Sequence, residues 1–219
     1  MKRYLIYQGI PLVLLLLPFV WVGMVGNDTM LEKEHGITEN LTVILLIVAV
    51  GFLVAAYRAA GRFAAPKTLR PWIILLIMGA TYFALEEISY GQHYFGWETS
   101  DGWKDLNKQD ETNLHNVHSI FDKLPRALLT LGILIGGVIM PLVRRFRKIE
   151  LPESDRLYWQ WPTIDCLTVG LVVLLYRPVM SQLDLDFIHI GETKELFFAA
   201  FIMIYSISLT SRIRAKSNP

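Results

Sequence analysis

Six runs of apolar residues alternate along the chain with short polar and charged segments, at about residues 4–26, 40–58, 71–94, 124–143, 162–181 and 192–211. Each is close to the roughly 20 residues that a helix needs to cross a hydrocarbon core. Pro11 and Pro18 predict a kink in the first run. Pro71 and Pro125 stand early in the third and fourth, where a first-turn proline fits a helix start. Met1-Lys2-Arg3 before an apolar run resembles a signal peptide, but the run continues to Gly26 with no A-x-A cleavage site. It reads as a retained anchor and first helix. The expected fold class is all-α: a polytopic bundle of six transmembrane helices, residues 1–219 forming a single integral membrane domain. The loop between the third and fourth helices is expected to be partly helical.

The basic residues between the runs predict orientation. One set of connections holds Lys2, Arg3, Arg58, Arg62, Lys67, Arg70, Arg144, Arg145, Arg147, Lys148, Arg156, Arg212, Arg214 and Lys216, 14 of the 21 lysines and arginines. The opposite set holds Lys33, Lys104, Lys108, Lys123, Arg126, Arg177 and Lys194. Every connection agrees on one topology: both termini cytoplasmic, with loops 27–39, 95–123 and 182–191 outside. A bacterial inner membrane is the expected location. Trp and Tyr near the ends of the runs, such as Tyr4, Trp21, Trp72, Trp97 and Trp159, fit interfacial belts.

Composition agrees and narrows the partners. Apolar residues make up 53% of the 219, charged residues 19%, and mean hydropathy is +0.39. A net charge of +1 points to no nucleic acid. The single cysteine, Cys166, excludes an intrachain disulfide and reads as a small apolar helix residue. Gly132 and Gly136, followed by Gly137, are a small-xxx-small pair that permits a close helix contact.

The chemistry-bearing side chains gather at the outer ends of the runs. His93, His115, His118 and His189 fall at the outer ends of runs three to six, and His35 in the first outer loop. Glu86 and Glu87 lie in the outer part of the third run, where a charge facing lipid costs on the order of 2.5–3.5 kcal/mol at mid-membrane and less toward the interface. On a continuous helix Glu86, Tyr90 and His93 share one face. Glu111, His115, His118 and Asp122 have helical spacing as well, and His-x-x-His is compatible with chelating one metal ion. A carboxylate behind a ligand histidine would fix its tautomer. Glu192 and Glu195 open the sixth run, where the helix dipole favours acids. Arg177, just inside the outer boundary, is positioned to pair with a buried glutamate.

The stretch Glu86-Glu87-Ile88-Ser89-Tyr90-Gly91-Gln92, followed by Glu111-Thr112-Asn113-Leu114-His115-Asn116, resembles a signature of bacterial multi-pass inner-membrane proteins of no assigned activity. It spans residues 86–116 and implies a bacterial membrane home. Two enzyme groups share fragments of the pattern. Glu86-Glu87 is similar to the Glu-Glu-x-x-x-Arg of CAAX-type intramembrane proteases, but Gly91 stands where the arginine belongs. Ser89-x-x-x-His93 resembles the Ser-x-x-x-His of alkaline-ceramidase-like hydrolases, but His189-x-x-Glu192 replaces their late His-x-x-x-His. Neither activity is carried over.

The expectation is a membrane-embedded hydrolase or transferase, metal-dependent, acting at the extracytoplasmic face on a lipid or lipid-linked substrate. Glu86, Glu87, Ser89 and Asn116 are the candidate catalytic groups. His93, His115, His118, His189 and Glu192 are the candidate ligands of a divalent metal such as zinc, which would lower the pKa of a bound water to near 7. A partly desolvated Glu86 or Glu87 would serve as general base or acid. Two alternatives stand beside it: a non-catalytic subunit or assembly factor of a larger membrane complex, with a protein partner or a second copy, and an ion or proton pathway.

Overall fold

The structure, a computed structural model, describes residues 5–25, 36–104, 106, 112–114, 117–183 and 190–217, the side chains of Val25, His93, Ser119 and Asp122 apart. Among them there is no strand. Six helices are long and apolar enough to cross a membrane. They are labelled α1 (Ile10–Val25, entered through the π-helical turn Leu5–Gly9), α2 (Ile37–Ala60), α3 (Leu69–Glu87), α4 (Ser119–Gly132, running on through the π-helical Ile133–Ile139 into Met140–Arg147), α5 (Leu167–Gln182) and α6 (Ile190–Ser217). Short helices Gln92–Phe95 and Asp101–Lys104 occupy the α3–α4 connection. Arg156–Gln160 and the turn Ile164–Cys166 lead into α5.

α6 is the axis of the bundle. Within its apolar window 78% of residues are buried, against 22–33% for the other five. Its partner α2 presents Leu46, Ala49, Leu53, Ala56 and Ala60, three or four apart and therefore on one stripe. The alanines in that stripe let two backbones approach closely. Thr210 of α6 bridges the pair by donating its hydroxyl to the Phe52 carbonyl at 2.9 Å. On the outer faces the large apolar side chains are exposed instead: Ile47, Leu75, Met78 and Leu128 are each about 60% accessible. In water, patches of this size would drive association; against acyl chains they cost nothing, which is the signature of a multi-pass membrane protein.

The close glycine contact sits one residue from the expected pair. A Cβ on Gly132 would meet nothing within 4 Å, whereas one on Gly137 would lie 2.6 Å from the Phe201 ring of α6. Gly136 packs on Pro162. The π-helical stretch shifts the helical register here, so the i, i+4 spacing read from the sequence no longer marks the buried face.

Charge divides the two ends of the bundle. At the basic end, Arg212 donates to the carbonyls of Tyr158, Trp159 and Trp161, Arg70 lies over the Tyr57 ring, and Lys216 pairs with Glu153. Trp72 and Tyr205 link α3, α6 and the α5 approach: the Trp72 indole donates to the Tyr205 hydroxyl at 2.9 Å, which donates to the Gln160 carbonyl at 2.6 Å. The acidic end carries the candidate site.

Candidate functional site

The third helix is shorter than its apolar run. α3 stops at Glu87, and Ser89, Tyr90 and Gly91 follow with φ of 45°, 56° and 105°. The left-handed region is natural for glycine and costs an ordinary residue of order 1–2 kcal/mol. Glu86, Tyr90 and His93 therefore do not share a helical face, because the turn ends the helical period between them. Glu86 and Tyr90 still meet, since the Tyr90 hydroxyl donates to Glu86 Oε1 at 2.6 Å. Burial, and then this bond to a carboxylate, hold the Tyr90 phenol above its ordinary pKa.

The turn is held by the other half of the 86–116 signature. Leu114 N–H donates to Glu86 Oε2 at 3.0 Å, the Asn113 amide donates to Ser89 Oγ at 3.0 Å, and Thr112 N–H donates to Gln92 Oε1 at 2.6 Å. The Gln92 amide in turn donates to Thr99 Oγ1 at 2.8 Å. Glu86, Ser89, Thr99 and Asn113 are all buried. Two pieces of chain twenty or more residues apart thus form one polar clamp, in which each buried group answers another. Tyr94 ties the clamp to α2 through Asn40 Oδ1 at 2.6 Å.

Beside the clamp, α3, α4 and α6 enclose a cleft of about 300 Å³. It is lined by Leu75, Leu76, Gly79, Phe83, Leu129 and Ile202 and by the charged Glu86, Glu87, Arg126 and Glu195. Leu75 and Phe121, 58% and 46% exposed, also line it. Arg126 and Glu195 form an ion pair. Glu87 lines the cleft with no hydrogen bond to any described residue, and its neighbouring charges are Glu195, Glu39, Arg126 and Glu192. Four helices therefore deliver charge to one level: Glu39 from α2, Glu86 and Glu87 from α3, Arg126 from α4, Glu192 and Glu195 from α6.

The candidates from the sequence fall in different places. Glu86 is buried with both oxygens engaged, and Glu87 faces the cleft. Ser89 is fully buried beneath Asn113. Glu192 sits half-buried in the first turn of α6. His118 is exposed and precedes α4 with extended backbone; its Nδ1 accepts from Ile120 N–H as a helix cap. A helix carrying Glu111, His115, His118 and Asp122 in one stripe is excluded, because the helix starts only at Ser119. Pro125 lies inside α4 rather than at its start. His115, Asn116 and His189 lie outside the described residues, as do Glu111 and the side chain of His93. Among the described residues no three histidine, cysteine or carboxylate groups are grouped to hold a metal.

Three groups of the site carry no role in the sequence reading. Asn113 and Gln92 were visible inside the signature, though not as clamp members. Arg126, rather than Arg177, is the guanidinium that pairs with Glu195. Its place one residue after Pro125 gave no sign of this. The chain matches no family model, no curated protein and no solved structure.

Proposed function

We propose that the chain is a membrane-embedded hydrolase or transferase that takes a lipid or lipid-linked substrate from the outer leaflet through the α3–α4–α6 cleft. The carrying observation is Glu87: a carboxylate without a hydrogen-bond partner among the described residues, beside Arg126 and Glu195 in an otherwise mostly apolar cleft between α3, α4 and α6. A pocket of this size, mostly apolar with a few polar groups, suits an amphiphile. The acyl chain lies along Leu76, Phe83, Leu129 and Ile202, and the head meets Glu87, Arg126 and Glu195.

Glu87 then does acid–base work. It takes a proton from a water or acceptor alcohol, whose oxygen attacks the acyl or phosphoryl centre of the head. As the bond to the leaving alcohol breaks, that alcohol takes the proton from Glu87. Arg126 offers its guanidinium to the negative charge that develops on the reacting centre. Glu86 is a positioning residue: it fixes the end of α3 through Tyr90 and Leu114.

The acidic end faces outward in this reading, with both termini in the cytoplasm of a bacterial inner membrane. The arginine-rich opposite end supports that orientation. A divalent metal on His93, His115, His118, His189 and Glu192 is a separate proposal. Of its candidate ligands, His118 gives Nδ1 to a helix cap, which leaves Nε2 to face a metal, and among the described residues no histidine is grouped with Glu192. Elemental analysis of the purified protein beside His118→Ala decides it, and no step above depends on it.

The test uses purified protein in nanodiscs of a bacterial lipid extract, with lipids followed by mass spectrometry. The wild type is expected to consume one lipid class that Glu87→Gln leaves intact. Equal turnover by Glu87→Gln, or no change in any lipid with the wild type, would overturn the proposal.

A further inference from the structure

At the basic end, a second cavity of about 400 Å³ lies between α2 and α6. It is lined by Ala55, Arg58, Ala59, Arg62, Arg214 and Ser217. Residues 55, 58, 59 and 62 have the i, i+3, i+4, i+7 spacing of one helical face, and the turn after Ala60 keeps Arg62 beside it. The two alanines leave the floor open, and the arginines stand around it. Across the gap, Arg214 and Ser217 come from the last turn of α6.

No residue lining this cavity is acidic. Neighbouring cations have partners: Arg70 on the Tyr57 ring, Arg212 on three carbonyls, Lys216 on Glu153. Arg58, Arg62 and Arg214 have no carboxylate partner among the described residues. Three guanidiniums around one space repel each other, and an anion between them reverses the sign of that interaction. Their planar forks match phosphate oxygens, and basic pockets between membrane helices are suited to anionic lipid heads. Arg58 and Arg214 lie in the last turns of two membrane-length helices.

We propose that Arg58, Arg62 and Arg214 form a binding site for a phosphate-bearing anion, distinct from the cleft and independent of the chemistry assigned there. The phosphate can belong to an anionic lipid head or be free in solution, since the recognition chemistry is the same.

The experiment is native mass spectrometry, with thermal unfolding, on the full chain in detergent, titrated with phosphatidylglycerol, phosphatidylcholine or inorganic phosphate. The variant is Arg58→Gln/Arg62→Gln/Arg214→Gln. Arg58, Arg62 and Arg214 are exposed, and the control, Arg145→Gln/Arg147→Gln, removes two other exposed arginines, from the α4 terminus. Phosphatidylglycerol is expected to bind the wild type and the control alike, and the triple variant about a hundred-fold more weakly, as the loss of three basic contacts implies. Displacement of that lipid by millimolar inorganic phosphate would identify the free anion as a ligand; no displacement would identify the lipid head. Equal weakening in the control would reduce the site to diffuse surface charge and overturn it. So would unchanged lipid affinity in the triple variant, or a stability loss that is the same with and without lipid, the result expected if the arginines only cap helix ends. Should the triple variant fail to fold, Arg214→Gln alone gives the same comparison with a loss of about five-fold.

Discussion

Asn113→Ala tests whether the two halves of the 86–116 signature hold each other. Asn113 and Ser89 are both fully buried, and the amide donates to the Ser89 oxygen at 3.0 Å. Removing the amide leaves a buried hydroxyl without this donor, which costs about 1–3 kcal/mol. The space left by the lost side chain adds to that, so about 2–3 kcal/mol is expected in total. Ser89→Ala should cost a similar amount for the converse reason. The double variant should cost clearly less than the sum, because both single variants lose the same bond. A coupling of about 1 kcal/mol or more is expected. The assay is reversible unfolding in mixed micelles by graded sodium dodecyl sulfate, followed by circular dichroism, on wild type, both single variants and the double. Strictly additive losses would refute the clamp: the two residues would then be independent, and the signature would have some other basis.

Gly137→Ala should cost about 1–3 kcal/mol, because its new methyl group would lie 2.6 Å from the Phe201 ring. Phe201→Leu in the same chain should recover part of that loss, and a neutral Gly137→Ala would disprove the contact. Tyr90 carries a pH prediction. Its folded pKa lies above its ordinary value of 10.0, so its contribution is full below pH 10 and fades as pH rises through the folded value. The stability difference between wild type and Tyr90→Phe should therefore shrink above pH 10, read as unfolding midpoints across pH; a constant difference would show that Tyr90 is not held by Glu86.

The helices were legible because crossing a bilayer requires long apolar runs, and all six appear, though α3 ends at Glu87, short of its run. What was illegible depends on contacts between distant segments. Nothing local shows that α3 ends at Glu87: Phe83-Ala84-Leu85-Glu86-Glu87-Ile88 reads as continuing helix, and the break is imposed by Thr112, Asn113 and Leu114 docking from beyond the next loop. Gly91, at φ 105°, was the one local hint. The glycine contact was missed by one residue because π-helical turns shift the register, and hydrophobic spacing does not register them. The gathering of acids at one end was readable from positions alone. The partition of Glu86 into the clamp and Glu87 into the cleft was not, since adjacent residues on a helix differ only in direction. Arg126 looked like one more interfacial cation until α6 brought Glu195 against it.

The most direct measurement of the central claim is photo-crosslinking from inside the cleft. A photoreactive amino acid replaces Leu129, which lines the cleft, or Leu131, 51% exposed on the same helix and absent from the cleft lining. Both proteins are irradiated in native membranes and their adducts identified by mass spectrometry. Position 129 is expected to capture one lipid class selectively, with that selectivity lost in Glu87→Gln, while position 131 captures the bulk lipid mixture. The same bulk mixture at both positions, unaffected by Glu87→Gln, would contradict the claim that this cleft recognises a substrate.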